Sequence, residues 1–271
     1  MAAVARLSLN QATIKRATVA EAVEGCARHG IESIGLWREP VADHGLDRTA
    51  KLVADAGLRV SSLCRGGFLT AVDNRAALDD NRRAIDEAAA LRTDVLVMVV
   101  GGVQPDKDLV GARQRVADAI AELSVYAGEA GVTLALEPMH PVFCADRGVL
   151  STLSQALDLA EQNSSVGVVV DALHVWWDPD LDAQIVRAGP HIASYQVCDW
   201  LTPVPADVLL GRGYPGDGDI DLDRLTRHVA ATGYAGDVEV EIFNAAIWAA
   251  DFDEVIERVK RGYHDVVEPA L

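Results

Sequence analysis

Lysine is nearly missing from this sequence. Its 271 residues carry 20 arginines and four lysines against 41 Asp and Glu, a net charge of −17. A chain so acidic has no electrostatic route onto a phosphate backbone or an anionic lipid surface, so neither nucleic acid nor membrane is expected as a partner. Long apolar runs are absent too: uninterrupted stretches stop at about six residues, as in Val95–Val100, where a membrane-spanning helix needs about 18. The start, MAAVARLSLNQ, has no basic segment followed by an apolar block, so no signal peptide is expected. Four cysteines (Cys26, Cys64, Cys144, Cys198) show no CxxC spacing, which argues against a zinc-thiolate site and fits reduced thiols in a cytoplasmic protein. No Gly/Pro/Ser-rich linker or low-complexity tract divides the chain, so residues 1–271 are read as a single domain.

What is present alternates. Short β-branched segments at Arg6–Leu9, Ser33–Trp37, Val60–Cys64, Val95–Val100, Thr133–Glu137, Val166–Asp171, Ile192–Val197 and Val238–Ile242 read as strands. Several are apolar without alternation, the signature of strands buried on both faces of a parallel sheet. Between them lie amphipathic Ala/Leu-rich segments: Val19–His29, Asp47–Ala56, Asn74–Leu91, Leu109–Ala130, Ser151–Asn163, Asp180–Ala188, Asp221–Thr232 and Asp251–Asp265. Thr18 stands before the first as an N-cap, and Gly30, Gly57, Gly131 and Gly233 follow helices as stops. Eight βα repeats in this length are the arithmetic of a single (β/α)8 TIM barrel. A doubly wound sheet is the rival, but the turn after the first strand, Asn10-Gln11-Ala12-Thr13, lacks GxGxxG. One long irregular stretch, Asp199–Ile220, follows the seventh strand.

A barrel carries its chemistry at the C-terminal ends of its strands. There this chain places Glu137 (TLALE), Asp171 (VGVVVD), Gln196 and Asp199 (YQVCD), and Glu241 (EVEIF). Acids inside apolar runs are costly unless paired or bound to a cation, and lysine is scarce nearby. Glu137, Asp171, Gln196 and Glu241 form an all-oxygen ligand set, which favours Mg²⁺ or Mn²⁺ over Zn²⁺. Glu239 and Glu241 share a strand face. Glu241 lies nearer the rim, which leaves Glu239 deeper against a buried partner unless the register is shifted.

Four phrases then stand in order: LALEPMHP around Glu137, VVVDALHVWWDP around Asp171, GRGYPGDGDID at 211–221, and VEVEIFN around Glu241. From Leu7 to Tyr263 the chain resembles the xylose isomerase-like TIM barrel superfamily, whose relatives include inosose isomerases and dehydratases, ketose 3-epimerases and 3-dehydroshikimate dehydratases. The resemblance implies a divalent metal on Glu137, Asp171 and Glu241, with Gln196 where relatives usually carry histidine. It implies that Glu137 and Glu241 act as proton-transfer groups and that His174 touches a substrate hydroxyl or oxyanion. Arg212 would reach the substrate or the metal.

The implied activity is an isomerase or epimerase of a keto-sugar, keto-cyclitol or related polyol, by proton abstraction alpha to a carbonyl. A lyase eliminating a β-substituent from the same enediolate is the alternative, and a metal-free binding subunit on the same barrel is a third reading. Endonuclease IV-type repair enzymes share the architecture, but their histidine-rich zinc set is missing here. Relatives often assemble, which leaves a homo-oligomer open.

Other residues carry weaker expectations. His140, Arg65 and Trp37 are candidate substrate contacts, each weighed against loop capping, packing or a hydrophobic lid. Trp176-Trp177 is read as packing before pocket lining, and Asp217 as a turn residue. His29, His44, His191, His228 and His264 fall on helices or distal loops and are read as structural.

Overall fold

The computed structural model describes residues 6–271. Eight parallel strands close into a barrel: β1 (Leu7–Asn10), β2 (Ser33–Trp37), β3 (Arg59–Gly67), β4 (Val95–Val99), β5 (Thr133–Leu136), β6 (Val166–Asp171), β7 (Ile192–Val197) and β10 (Val238–Val240). Each pairs with the next in the chain, and β10 returns to β1. The runs VLVMV in β4 and VGVVVD in β6 are buried along their whole length, as strands between a packed interior and a ring of helices must be. The outer helices carry the expected caps. Thr18 and Glu21 form a capping box at the helix Val19–His29, and Gly30 and Gly131 end their helices at φ 70° and 71°. No helix among the described residues is long and apolar enough to cross a membrane.

The structure corrects three expectations. β3 runs from Arg59 through Gly66-Gly67, three residues beyond the expected end at Cys64. Asn81 brackets Gly67, accepting its N–H at 2.7 Å and donating to its carbonyl at 2.9 Å, so pairing with β4 continues. β10 stops at Val240, which places Glu241 one residue beyond it. Helices Arg38–His44 and Ala245–Ala249 were not expected; both are short pieces over the barrel mouth.

The stretch after β7 is not irregular throughout. It folds back as a two-stranded antiparallel ladder, β8 (Asp199–Trp200) with β9 (Arg212–Gly213). Asp199 ties this excursion down, accepting the backbone N–H groups of Trp200 (3.0 Å), Ile220 (3.0 Å) and Gly216 (2.9 Å). Gly218 must be glycine for close approach, since a Cβ there would sit 2.3 Å from the Trp200 carbonyl oxygen. The ladder carries Arg212 into the barrel.

Asp199→Ala would strand three N–H groups, each costing about 1–3 kcal/mol where water cannot reach. We expect a loss of about 2–4 kcal/mol in urea unfolding and first protease cleavage between residues 201 and 218. An unchanged midpoint and cleavage pattern would contradict this account of the excursion.

Candidate active site

Above the strand ends lies a cavity of about 900 Å³. Its floor holds Glu137, His174, Arg212 and Glu241. Gln11, Trp37, Cys64, Arg65, Met139 and Phe243 line its walls. Strand geometry sets the floor. Glu137 follows β5 and donates its N–H to the Met98 carbonyl at 3.1 Å; Glu241 follows β10 and donates to Val197 at 3.2 Å. Asp171 ends β6, and its Oδ1 caps the short turn Ala172–Val175 by accepting from Leu173 N–H at 2.8 Å. That cap brings His174 back over the site.

All these groups are buried. Asp171 and His174 have no exposed surface, and Arg212 is 2% exposed. Asp171, Glu137 and His174 each offer a ligand atom, and these atoms lie within 4.8 Å of one another. Arg212 Nη1 donates to Glu241 Oε2 at 2.9 Å and to Asp171 Oδ2 at 3.1 Å, while Phe243 lies beneath the guanidinium at 5.0 Å. Glu137 has no such partner. Burial, then the charges of Glu241 and Asp171, hold its carboxyl well above the ordinary range, against the pull of Arg212 and Arg65. Burial pushes Glu241 up to about 8, although Arg212 opposes it. Burial, helped by Glu241 and Glu137, also keeps the Cys64 thiol protonated, which disqualifies it as a nucleophile. Three carboxyl groups face one guanidinium in a dry site, and the raised proton affinity of Glu137 and Glu241 is the result.

His174 is neutral, its pKa lowered by burial to about 3. Its Nδ1 faces the backbone N–H of His140 at 3.2 Å. Arg212 Nη2 faces Nε2 at 3.2 Å, so each ring nitrogen has a donor in front of it. Asp171 Oδ2 at 3.7 Å and Glu137 Oε1 at 4.0 Å are the nearby acceptors.

Gln196 on β7 is buried. Its Nε2 donates to Glu239 Oε1 at 3.1 Å, and its Oε1 has no hydrogen-bond partner. An orphaned amide oxygen of this kind fits a cation as ligand. Glu239 sits deeper than Glu241 on the same face, in the register expected, and faces hydroxyl and amide donors.

The expected substrate contacts separate. Arg65 and Trp37 line the cavity; the Arg65 guanidinium lies over the rings of Trp37 (5.7 Å) and Phe68 (4.8 Å). His140 does not line it. Its Nδ1 accepts the Val142 N–H at 3.2 Å, its ring packs between Trp177 and Trp200, and its contribution to the site is the N–H that orients His174. Trp176 and Trp177 pack rather than line the cavity, the first on Trp200 and the second donating to the His174 carbonyl. Asp217 pairs with Arg258. His29, His228 and His264 pair with surface acids, but His44, read as structural, lines the mouth. Sequence reasoning also missed Lys15, Arg16 and Trp248 at the mouth, which come from loops without a motif.

A family model described as xylose isomerase-like TIM barrel matches residues 23–262. The chain belongs to that family. Among xylose isomerase-like relatives it is 28% identical over 253 residues to the 3-dehydroshikimate dehydratase of Pseudomonas putida. That match covers 86% of this chain but 37% of the relative, so the chain spans little more than a third of it. It is 24% identical over 276 residues to the inosose isomerase of Halalkalibacterium halodurans, covering 97% and 96% of the two. The crystal structure of protein SMc04130 from Sinorhizobium meliloti superposes with a TM-score of 0.95 at 46% identity, over 97% of this chain and 99% of that one. The enzyme relatives of this xylose isomerase-like barrel thus include both an isomerase and a dehydratase.

Arg212→Met keeps the buried stem and removes the charge. Breaking a buried ion pair costs about 3–5 kcal/mol, so the metal-free variant should lose about that much in chemical unfolding, and Mn²⁺ should recover more stability in it than in the parent. If R212M unfolds like the parent, the guanidinium is not balancing Asp171 and Glu241.

Proposed function

We propose that the chain is a divalent-metal-dependent isomerase or epimerase of a keto-sugar, keto-cyclitol or related polyol. The observation that carries this reading is the convergence of Glu137, Asp171 and Glu241, with Arg212 the one cation hydrogen-bonded to any of them among the described residues. In this reading a dication is held by those three carboxylates and by Gln196 Oε1. Oxygen donors favour Mn²⁺ or Mg²⁺. When bound, the ion polarises a substrate carbonyl and acidifies the neighbouring C–H.

The residues divide the remaining work. Glu137 and Glu241 flank the site, so one takes a proton from the carbon beside the carbonyl and the other returns one. His174 stays outside the ligand set in this reading. Its Nε2–H instead donates to a substrate oxygen. Arg212 holds Glu241 and Asp171 in place, and Trp37 and Phe243 offer apolar faces to a sugar ring.

Elimination by a lyase is the second reading. It is favoured by Lys15, Arg16 and Arg65, whose charged ends line the cavity and make no ion pair among the described residues. Such cations suit a substrate that carries an acid group.

Metal analysis of the purified protein, with a screen of keto-sugars, keto-cyclitols and keto-acids in deuterated buffer, separates the readings. Deuterium entering the α-carbon without loss of water indicates isomerisation or epimerisation; a conjugated, ultraviolet-absorbing product indicates elimination. Glu241→Gln should lower the rate about 10²–10⁴-fold. A protein that retains full turnover after chelation would refute the metal-dependent mechanism.

A further inference from the structure

Glu239 makes a different kind of site from Glu241, two residues away on the same face. Its Oε1 accepts from Asn10 Nδ2 (2.6 Å) and Gln196 Nε2 (3.1 Å), and its Oε2 from Ser61 Oγ (2.6 Å) and Ser62 Oγ (2.8 Å). A register shift of β3 against β2 brings the two successive serines to one carboxylate. The donor ends are themselves determined. Asn10 Oδ1 accepts the Ala12 N–H at 2.9 Å and the Trp37 indole N–H at 2.8 Å, two groups that can only donate, so its Nδ2 must face Glu239. Gly35 leaves the room: a Cβ there would lie 2.6 Å from the Glu239 carboxyl carbon.

We infer that Glu239 is a positioning residue that sets which end of the Gln196 amide faces the active site. An amide can present either an oxygen or an NH₂, and only the oxygen can ligate a cation. The Glu239 carboxylate accepts hydrogen bonds and binds the NH₂ end. The oxygen is thereby turned away from Glu239, and it is the one buried amide oxygen of the site left without a partner. Trp37 thus reaches the metal site through Asn10, Glu239 and Gln196. This inference rests on the reading of Gln196 as a metal ligand.

The test is Mn²⁺ binding to substrate-free protein, by calorimetry and by electron paramagnetic resonance, with folding followed by circular dichroism. E239Q alone keeps an oxygen facing Gln196, because Asn10 Nδ2 donates to the same atom; in N10D/E239Q the carboxylate placed at position 10 draws the introduced amide nitrogen to that place, and the Gln196 NH₂ turns toward the cation. Changes of this kind behind a ligand cost about 10–100-fold in metal affinity. We expect that loss in N10D/E239Q, a similar loss in Gly35→Ala, where the carboxylate is displaced but kept, and recovery to within about tenfold in the triple variant N10D/E239Q/Q196E. There the introduced carboxylate at 196 accepts from the introduced amide and still offers an oxygen upward. A purely structural role would lower stability without this rescue. Folded N10D/E239Q that binds Mn²⁺ like the parent overturns the inference and leaves the metal reading intact. A parent that binds no divalent cation, with Q196A indistinguishable from it, overturns both.

Discussion

Like charge in a dry place is the constraint on which this site is built. Glu137, Asp171 and Glu241 converge at the barrel mouth, each buried, with one guanidinium inserted between two of them. Taking a single carboxylate out of water costs several kcal/mol, and each neighbour of the same sign adds to it. Arg212 offsets part of that cost, and the raised proton affinities of Glu137 and Glu241 measure what is left over. The xylose isomerase-like barrel tolerates the imbalance because its eight strands are packed on both faces and cannot splay to relieve it.

The barrel interior separates two carboxylate environments by depth. Glu239 is ringed by four donors from β1, β3 and β7, whereas two residues further along Glu241 has the Arg212 guanidinium. Lower down, the carboxylate is saturated with donors; higher up, it has the guanidinium alone among the side-chain donors of the described residues. Gln196 lies between the layers, with its nitrogen in the lower network and its oxygen free. The β8–β9 excursion supplies what parallel strands cannot, a cation lowered onto the mouth from outside the barrel. Asp199 is at the strand-end position where function is expected, yet its oxygens hold that excursion together.

Much of this was legible from residue order. Apolar runs such as VLVMV and VGVVVD can be nothing but strands covered on both sides, and eight of them alternating with capped amphipathic helices define the barrel. Because the strands run parallel, the acids ending those runs had to meet at one end. The continuation of β3 through Gly66-Gly67 was hidden, since the bracket comes from Asn81 on another element. His140 resembled a substrate contact because it sits three residues past Glu137, but a 3₁₀ turn claims its ring.

The sequence alone therefore determined the fold, the four oxygen-bearing positions and their shared end of the barrel, because period and chain order are local and additive. Only the tertiary structure decided the state of each group: which carboxylate is saturated, which way the Gln196 amide turns, and what faces the ring of His174. Those properties depend on donors that reach the site from distant strands and loops, and hydrogen-bond direction between such partners is written in three-dimensional contact, not in spacing along the chain.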